Sequence, residues 1–218
     1  MKNSSQDNNY KTNNNQDDKQ NNNQDRLIKQ IKFIEEIDKE KLIGRQTYLA
    51  DASRKENDAE HAWHMAIMAV LLKEYANEKI DVLKTVTMLL LHDIVEIDAG
   101  DTYAYDEAGA ATKEIRERKA AERIFGLLPE DQRSWFRQLW EEFEAYETPE
   151  AKFAHVLDNC QPLLLNDASG GRSWAEHGVK KSQIYKRNQH TSEGSGEIWE
   201  YMKKLVDKHI RLGNVIDE

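Results

Sequence analysis

His92 and Asp93 close an apolar run, Met88-Leu89-Leu90-Leu91, and acids follow at Glu96, Asp98 and Asp101. Burying an imidazole and a carboxylate at the end of a core helix is costly unless something pairs with them. A divalent cation is one such partner. The plainer alternative has Asp93 capping the next helix and His92 satisfied inside the core. Two further segments bear on the choice. His61 sits early in its own helix, behind Glu60 and the polar stretch Arg54-Lys55-Glu56-Asn57. Asp158 interrupts a helix otherwise apolar at Phe153, Val156 and Leu157. Two imidazoles and two carboxylates drawn from three helices would make a four-ligand site for one first-row divalent ion, Mn, Co, Fe, Ni or Zn. Two octahedral positions would stay open for water and a substrate oxygen. The charges of His61, His92, Asp93 and Asp158 would cancel that of the ion, so an anionic substrate needs further cations. Arg45 and Arg54 lie in the loop between the first two helices.

The elements that must carry these groups read as helices from Arg26 onward. Only three prolines occur, and no stretch alternates apolar and polar residues long enough for a sheet. Leu27, Ile28, Ile31, Ile34 and Ile37 form a stripe at helical spacing, which predicts the inward face of a first helix ending before Gly44. Asp58 is suited to cap a second helix reaching about Asn77. The dense apolar run from Ile80 to Leu91 predicts a helix buried on most sides. A helix ending at Phe125 would be closed by Gly126 as a left-handed cap. Pro129-Glu130-Asp131 and Thr148-Pro149-Glu150 each open another, with proline in the first turn and acid near the positive end of the dipole. Gly170-Gly171 breaks the chain, and a last helix begins near Ser192. The expectation is an all-α single domain over residues 26–218, with about six to eight helices.

Composition narrows the function classes. The 218 residues carry 31 Lys+Arg against 40 Asp+Glu, a formal charge of −9, and the mean hydropathy is −0.86. Residues 1–25 hold nine Asn, four Gln and four Asp, too little apolar surface to offset ordering entropy, which predicts a disordered tail. The acidic balance argues against a nucleic-acid polymer as partner. No apolar run approaches a membrane span and no signal-peptide core is present, so no membrane association is expected. Cys160 stands alone, which points to a reducing, cytoplasmic setting.

The order His61, His92-Asp93, Asp158 resembles the HD-domain metal-dependent phosphohydrolases. The flanking text is similar to their 5′-deoxynucleotidase-like branch, which includes HD-domain-containing protein 2. The matching pieces are Arg54-Lys55-Glu56-Asn57-Asp58-Ala59-Glu60-His61, then Leu91-His92-Asp93-Ile94-Val95-Glu96 leading into Gly100-Asp101. Leu128-Pro129-Glu130-Asp131, Leu139-Trp140-Glu141-Glu142-Phe143-Glu144 and Ala151-Lys152-Phe153 through Leu157-Asp158 continue the match. The resemblance implies an HD-type helical fold and one divalent metal ion on His61, His92, Asp93 and Asp158. It implies Glu96 as the catalytic acid and Asp101 as a second acid needed for activity, close to the sugar-phosphate. Arg45 falls near a phosphate-contacting arginine, and Arg54 is a second candidate whose other reading is a salt bridge to Glu56 or Glu60. A tryptophan of one bacterial branch is Gln46 here, which opens the question of sugar discrimination. The implied substrate is a small nucleotide, a deoxyribonucleoside 5′-monophosphate, and the implied assembly a homodimer.

Other readings stay open at this level. A guanosine alarmone or nucleoside triphosphate could be the nucleotide, or the domain could be a catalytically idle nucleotide sensor. A two-iron layout would need two more histidines between Asp93 and Asp158, where only His155 occurs. For His64 and His155 the expectation is packing or support of a neighbouring ligand. Trp135, Phe136, Leu139, Trp140 and Phe143 are expected in the core, some of them against a second subunit. Lys113, Arg116, Arg118 and Lys119, interleaved with Glu114 and Glu117, are expected on a solvated face.

Overall fold

The computed structural model describes residues 23–101 and 107–218; side chains of 107–111 and the predicted tail over 1–22 lie outside the described residues. Residues 23–25, assigned to the tail from composition, already belong to the first helix, α1 (23–37). A tight 3-10 segment, Asp38–Leu42, then leads into a hairpin of β1 (Gly44–Tyr48) and β2 (Lys55–Asn57). The strands are antiparallel, with Gly44 opposite Asn57 and Tyr48 opposite Lys55. Helices complete the chain: α2 (Asp58–Leu72), α3 (Val82–Leu91), α4 (Glu96–Ala99), α5 (Glu107–Phe125), α6 (Glu130–Ala145), α7 (Pro149–Ala168), α8 (Arg172–His177), α9 (Lys181–Arg187), α10 (Thr191–Gly194) and α11 (Gly196–Arg211). The helical class holds, and the excess over eight helices comes from one- and two-turn pieces, chiefly α4, α8, α9 and α10. Among the described residues, no helix is long and apolar enough to cross a membrane.

α7 is the central element. It begins at Pro149 after Thr148, whose side chain accepts from the Ala151 amide at 3.2 Å, and it buries Phe153, Ala154, Val156, Leu157, Cys160 and Leu163. α2, α3, α6, α10 and α11 pack around it. Inside α7, Pro162 has no N–H for the carbonyl of Asp158 one turn earlier, so the helix ladder is interrupted beside Asp158.

Three local readings change. α1 turns the other way: Phe33 is buried edge-on to Phe136 at 5.8 Å, while Leu27, Ile28, Ile31 and Ile34 face solvent. The contacts of Arg26 with Asp131 and of Gln30 with Gln132 set the inward row as 26, 30, 33 and 37. Apolar spacing alone could not separate two neighbouring faces of one helix. At α2 the cap is Asn57, not Asp58: Asn57 Oδ1 accepts from the Glu60 amide at 2.9 Å, and the Glu60 carboxylate accepts from the Asn57 amide at 3.1 Å. Gly126 is not left-handed; a Cβ there would stand 2.7 Å from the Glu122 carbonyl oxygen, so close packing is what requires glycine.

Candidate metal centre and active site

Three chain segments converge at one end of α7. The capping box fixes the first turn of α2 and places His61 inside it, wholly buried. α3 stops at Leu91, and the turn that follows presents His92 and Asp93 before α4 opens at Glu96. The Glu96 amide donates to the Asp93 carbonyl at 2.8 Å, which holds this turn closed. Asp158 projects from mid-α7. One ligand atom from each of His61, His92 and Asp158 lies within 4.8 Å of the others. Asp93 joins them, with Oδ2 3.0 Å from His92 Nε2.

The hydrogen-bond network fixes which ring nitrogens face the centre. His92 Nδ1 donates to the Leu89 carbonyl at 2.9 Å, so Nε2 is the nitrogen turned to the centre, with its lone pair available when the ring is neutral. His61 Nδ1 donates to Gln161 Oε1 at 2.8 Å. Gln161 Nε2 in turn donates to Glu56 Oε2 at 2.9 Å and faces His64 Nδ1 at 3.2 Å, which sets the amide's orientation. His61 Nε2 therefore points its lone pair at Asp158 Oδ1, 3.1 Å away. Buried His92 Nε2 lies 3.0 Å from Asp93 Oδ2 but out of line for a hydrogen bond. Lone pairs aimed at carboxylate oxygens repel unless a cation stands between them. Two imidazoles and two carboxylates so arranged fit one divalent metal ion with mixed N and O ligands.

The charge state of the cluster agrees. Burial, reinforced by Arg45, lowers His61 to about 4 and keeps it neutral. Burial also pulls His92 down, but Asp93 and then Asp158 outweigh it and raise the ring to about 9. These carboxylates demand a positive charge, which a divalent ion supplies without protonating the ring. Burial opposes ionisation of Asp93, yet His92 and Arg45 hold its carboxyl well below the usual range. Glu96 is pushed up to about 11, first by burial and then by Asp93, Asp58 and Asp101. Its Oε2 is buried without a hydrogen-bond partner, so in the cation-free chain the protonated acid is favoured.

A cavity of about 270 Å³ opens onto this centre, lined by Arg45, His92, Asp93, Glu96, Asp101 and Asp158 among others. Asp101 reaches it because Gly100 ends α4 at φ 74°, a left-handed turn that glycine adopts without strain. Arg45 on β1 lines the cavity too, but its Nη1 is shared between Asp58 Oδ1 at 3.0 Å and Asp93 Oδ2 at 2.9 Å. Its Nε stands 3.6 Å from Glu56. Arg54 does not line the cavity. It is exposed and held bidentately by Glu60, which the capping box has already positioned.

Several participants were not singled out from sequence. Asp58 is fully buried against Arg45 rather than capping α2. Gln161 lies one turn beyond Asp158, a spacing that could have marked it as a supporting group. Lys113, read as part of a solvated basic face, lines the cavity with Glu117, while Arg118 is exposed and pairs with Glu114. Arg187, on the last turn of α9, lines it as well. His155 lines the cavity and supports the centre: it donates to the Phe143 carbonyl at 2.9 Å and stacks on that ring, which lies against His92.

Gln161→Leu removes the acceptor of His61 Nδ1–H and the donor to Glu56. Divalent-cation affinity is expected to fall about 10- to 100-fold, measured by chelator competition. Unchanged affinity would mean that another contact orients His61.

Comparison with known proteins gives consistent findings. Residues 37–199 match the HD domain family. A predicted metal-dependent phosphohydrolase of known structure from Magnetospirillum magnetotacticum MS-1 is 51% identical, with a TM-score of 0.84 over 88% of this chain and 96% of that one. The human protein 5′-deoxynucleotidase HDDC2 is 35% identical over 114 residues, 52% of this chain and 54% of its own. Its mouse counterpart is 30% identical over 135 residues, 62% of this chain and 66% of its own. The chain thus spans between about half and two thirds of these curated relatives. A conserved hypothetical protein from Pyrococcus furiosus, 22% identical with a TM-score of 0.56, shares the fold.

Proposed function

The chain belongs to the HD-domain family of metal-dependent phosphohydrolases, and we propose that it is a 5′-deoxynucleotidase releasing phosphate from deoxyribonucleoside 5′-monophosphates. The observation that carries this reading is the convergence of His61, His92 and Asp158 ligand atoms beside the buried carboxyl of Glu96. The names borne by the human and mouse relatives support the choice of substrate.

His61 and His92, through Nε2, would hold the cation together with Asp93 and Asp158. When bound, such an ion neutralises phosphate charge and makes water more acidic near neutral pH. Glu96 is one turn past His92 and carries its proton on a carboxyl that lines the cavity. From there it can protonate the departing sugar oxygen, or exchange a proton with the attacking water. Asp101, which lines the cavity after Gly100, could accept from a sugar hydroxyl. Arg45 holds Asp93 by charge, with its guanidinium shared among Asp58, Asp93 and Glu56. Gln46 and Thr47 line the same cavity.

A screen of deoxy- and ribonucleoside mono-, di- and triphosphates with cation-loaded protein tests the proposal. Phosphate release from deoxynucleoside monophosphates is expected, in preference to triphosphates. No release from any monophosphate would overturn it. Turnover of a triphosphate or alarmone instead would move the substrate, and binding without turnover would mark an idle sensor. The resemblance also carries a homodimer, to be measured by sedimentation.

A further inference from the structure

We propose that Arg187 is a phosphate-binding residue of this site, an inference that rests on the phosphohydrolase reading above. Three described cations line the cavity: Arg45, Lys113 and Arg187. Arg45 is almost wholly buried and is faced by three carboxylates, Asp58, Asp93 and Glu56. Its charge is spent within the cluster. Lys113 Nζ stands 3.4 Å from the buried Glu117 carboxylate on the same helix. Arg187 is the least committed. Its Nη2 makes one long contact, 3.4 Å to Asp158 Oδ2, and a third of its side chain is exposed.

The position of that contact matters. Asp158 Oδ1 faces the His61 and His92 ring nitrogens at 3.1 and 3.9 Å, whereas Oδ2 faces Arg187. The guanidinium therefore stands one carboxylate away from the metal position, on the cavity side. A phosphate held at that position would bring its non-reacting oxygens within reach of the remaining guanidinium N–H groups, whose planar fork suits them. The charge balance requires such a group. Asp93 and Asp158 cancel a divalent ion, so a phosphate dianion finds no uncommitted positive charge on the ligands or on Arg45.

The backbone beneath Arg187 is fixed independently of ligand. Asn188 follows it, buried, donating from Nδ2 to the Ile184 carbonyl at 2.8 Å and accepting from Thr191 Oγ1 at 3.2 Å. The stem is anchored while the head group is nearly free, the combination expected of a side chain that waits for an anion.

The test uses the full chain loaded with a divalent cation, with inorganic phosphate as the probe in calorimetry. Arg187→Gln is expected to weaken phosphate binding about tenfold or more, the loss of one charged hydrogen-bonding partner. Arg187→Lys should recover part of it, cation affinity should stay within about twofold, and the Michaelis constant should rise more than turnover falls. Unchanged phosphate affinity would overturn the assignment. Joint loss of phosphate and cation would also overturn it, because Arg187 would then serve only to hold Asp158. If the wild-type, cation-loaded chain neither binds phosphate nor releases it from any nucleotide, the phosphohydrolase reading itself fails.

Discussion

Glu96→Gln is expected to keep its divalent cation and lose turnover by about two to four orders of magnitude, whereas Asp93→Asn loses both. The two residues are three apart, and their surroundings separate their roles. Asp93 is ionised and engaged on both sides, with Arg45 Nη1 at 2.9 Å and His92 Nε2 at 3.0 Å. Removing its charge leaves Arg45 with less compensation in a buried cluster, at a cost of about 3–5 kcal/mol where a buried pair loses one partner. Folding stability should fall along with cation content. Burial and the neighbouring carboxylates favour the protonated form of Glu96 in the cation-free chain, and one of its carboxyl oxygens is buried and unpaired. Glutamine matches its shape and charge state, so the fold and the ligand set should survive. What it cannot do is release and regain a proton. Metal analysis and phosphate release on both variants decide the matter. Cation loss from Glu96→Gln would place Glu96 among the ligands. Full turnover would move the proton to another acid, with Asp58 and Asp101, whose charges act on Glu96, the candidates.

The groups that bear the chemistry were the most legible part of the sequence, for a physical reason. A His-Asp doublet at the end of an apolar helix is costly without a partner, so its presence announces one. The helical class followed from apolar spacing and from the start signals at Pro129 and Thr148, which do open α6 and α7. The hairpin was not legible, because strands of five and three residues are too short to show alternation. Yet it carries Arg45 and Glu56 and hands the chain to α2. The inward face of α1 was misread because its partner, Phe136 on α6, lies more than 100 residues away and the sequence cannot express that contact. Asp58 was misread for a related reason. An acid near a helix start is ordinarily a cap, and only the arrival of Arg45 from β1 makes it a buried counter-charge. Arg187 carries no local signal at all; its meaning comes from facing Asp158 across two helices.

Removing the cation should make stability fall as pH rises, a dependence that the bound cation offsets. Over pH 6.5–9 the metal-free fold holds protons that the unfolded chain has released. Burial raises Glu96 to about 11, and Asp93, overriding burial, raises His92 to about 9. Burial also lifts Glu40, Glu56 and Asp58 to about 7. In the unfolded chain these carboxyls titrate near 4 and the imidazole near 6.5. The folded state therefore binds more protons throughout this window, and stability must fall as pH rises through it. His61, lowered to about 4, is neutral when folded, so it opposes the trend only at the low end of the window, where the unfolded imidazole near 6.5 still holds part of a proton. Asp93 and Asp158, both depressed, are ionised in both states and lose their contribution only on acidification below about 4. Cation binding needs neutral His92 and ionised carboxylates, so it strengthens over the same window. At about a thousandfold excess over its dissociation constant, a cation adds about 4 kcal/mol, or about 8–16 °C of melting temperature for a domain of this size. Thermal melts with chelator should drop steadily from pH 6.5 to 9. Melts with added cation should stay level, so the gap between the two widens with pH. A chelated chain whose melting temperature is flat across that range would show that Glu96 and His92 do not hold protons in the fold, and the assignment of Glu96 as a neutral acid would fall with it.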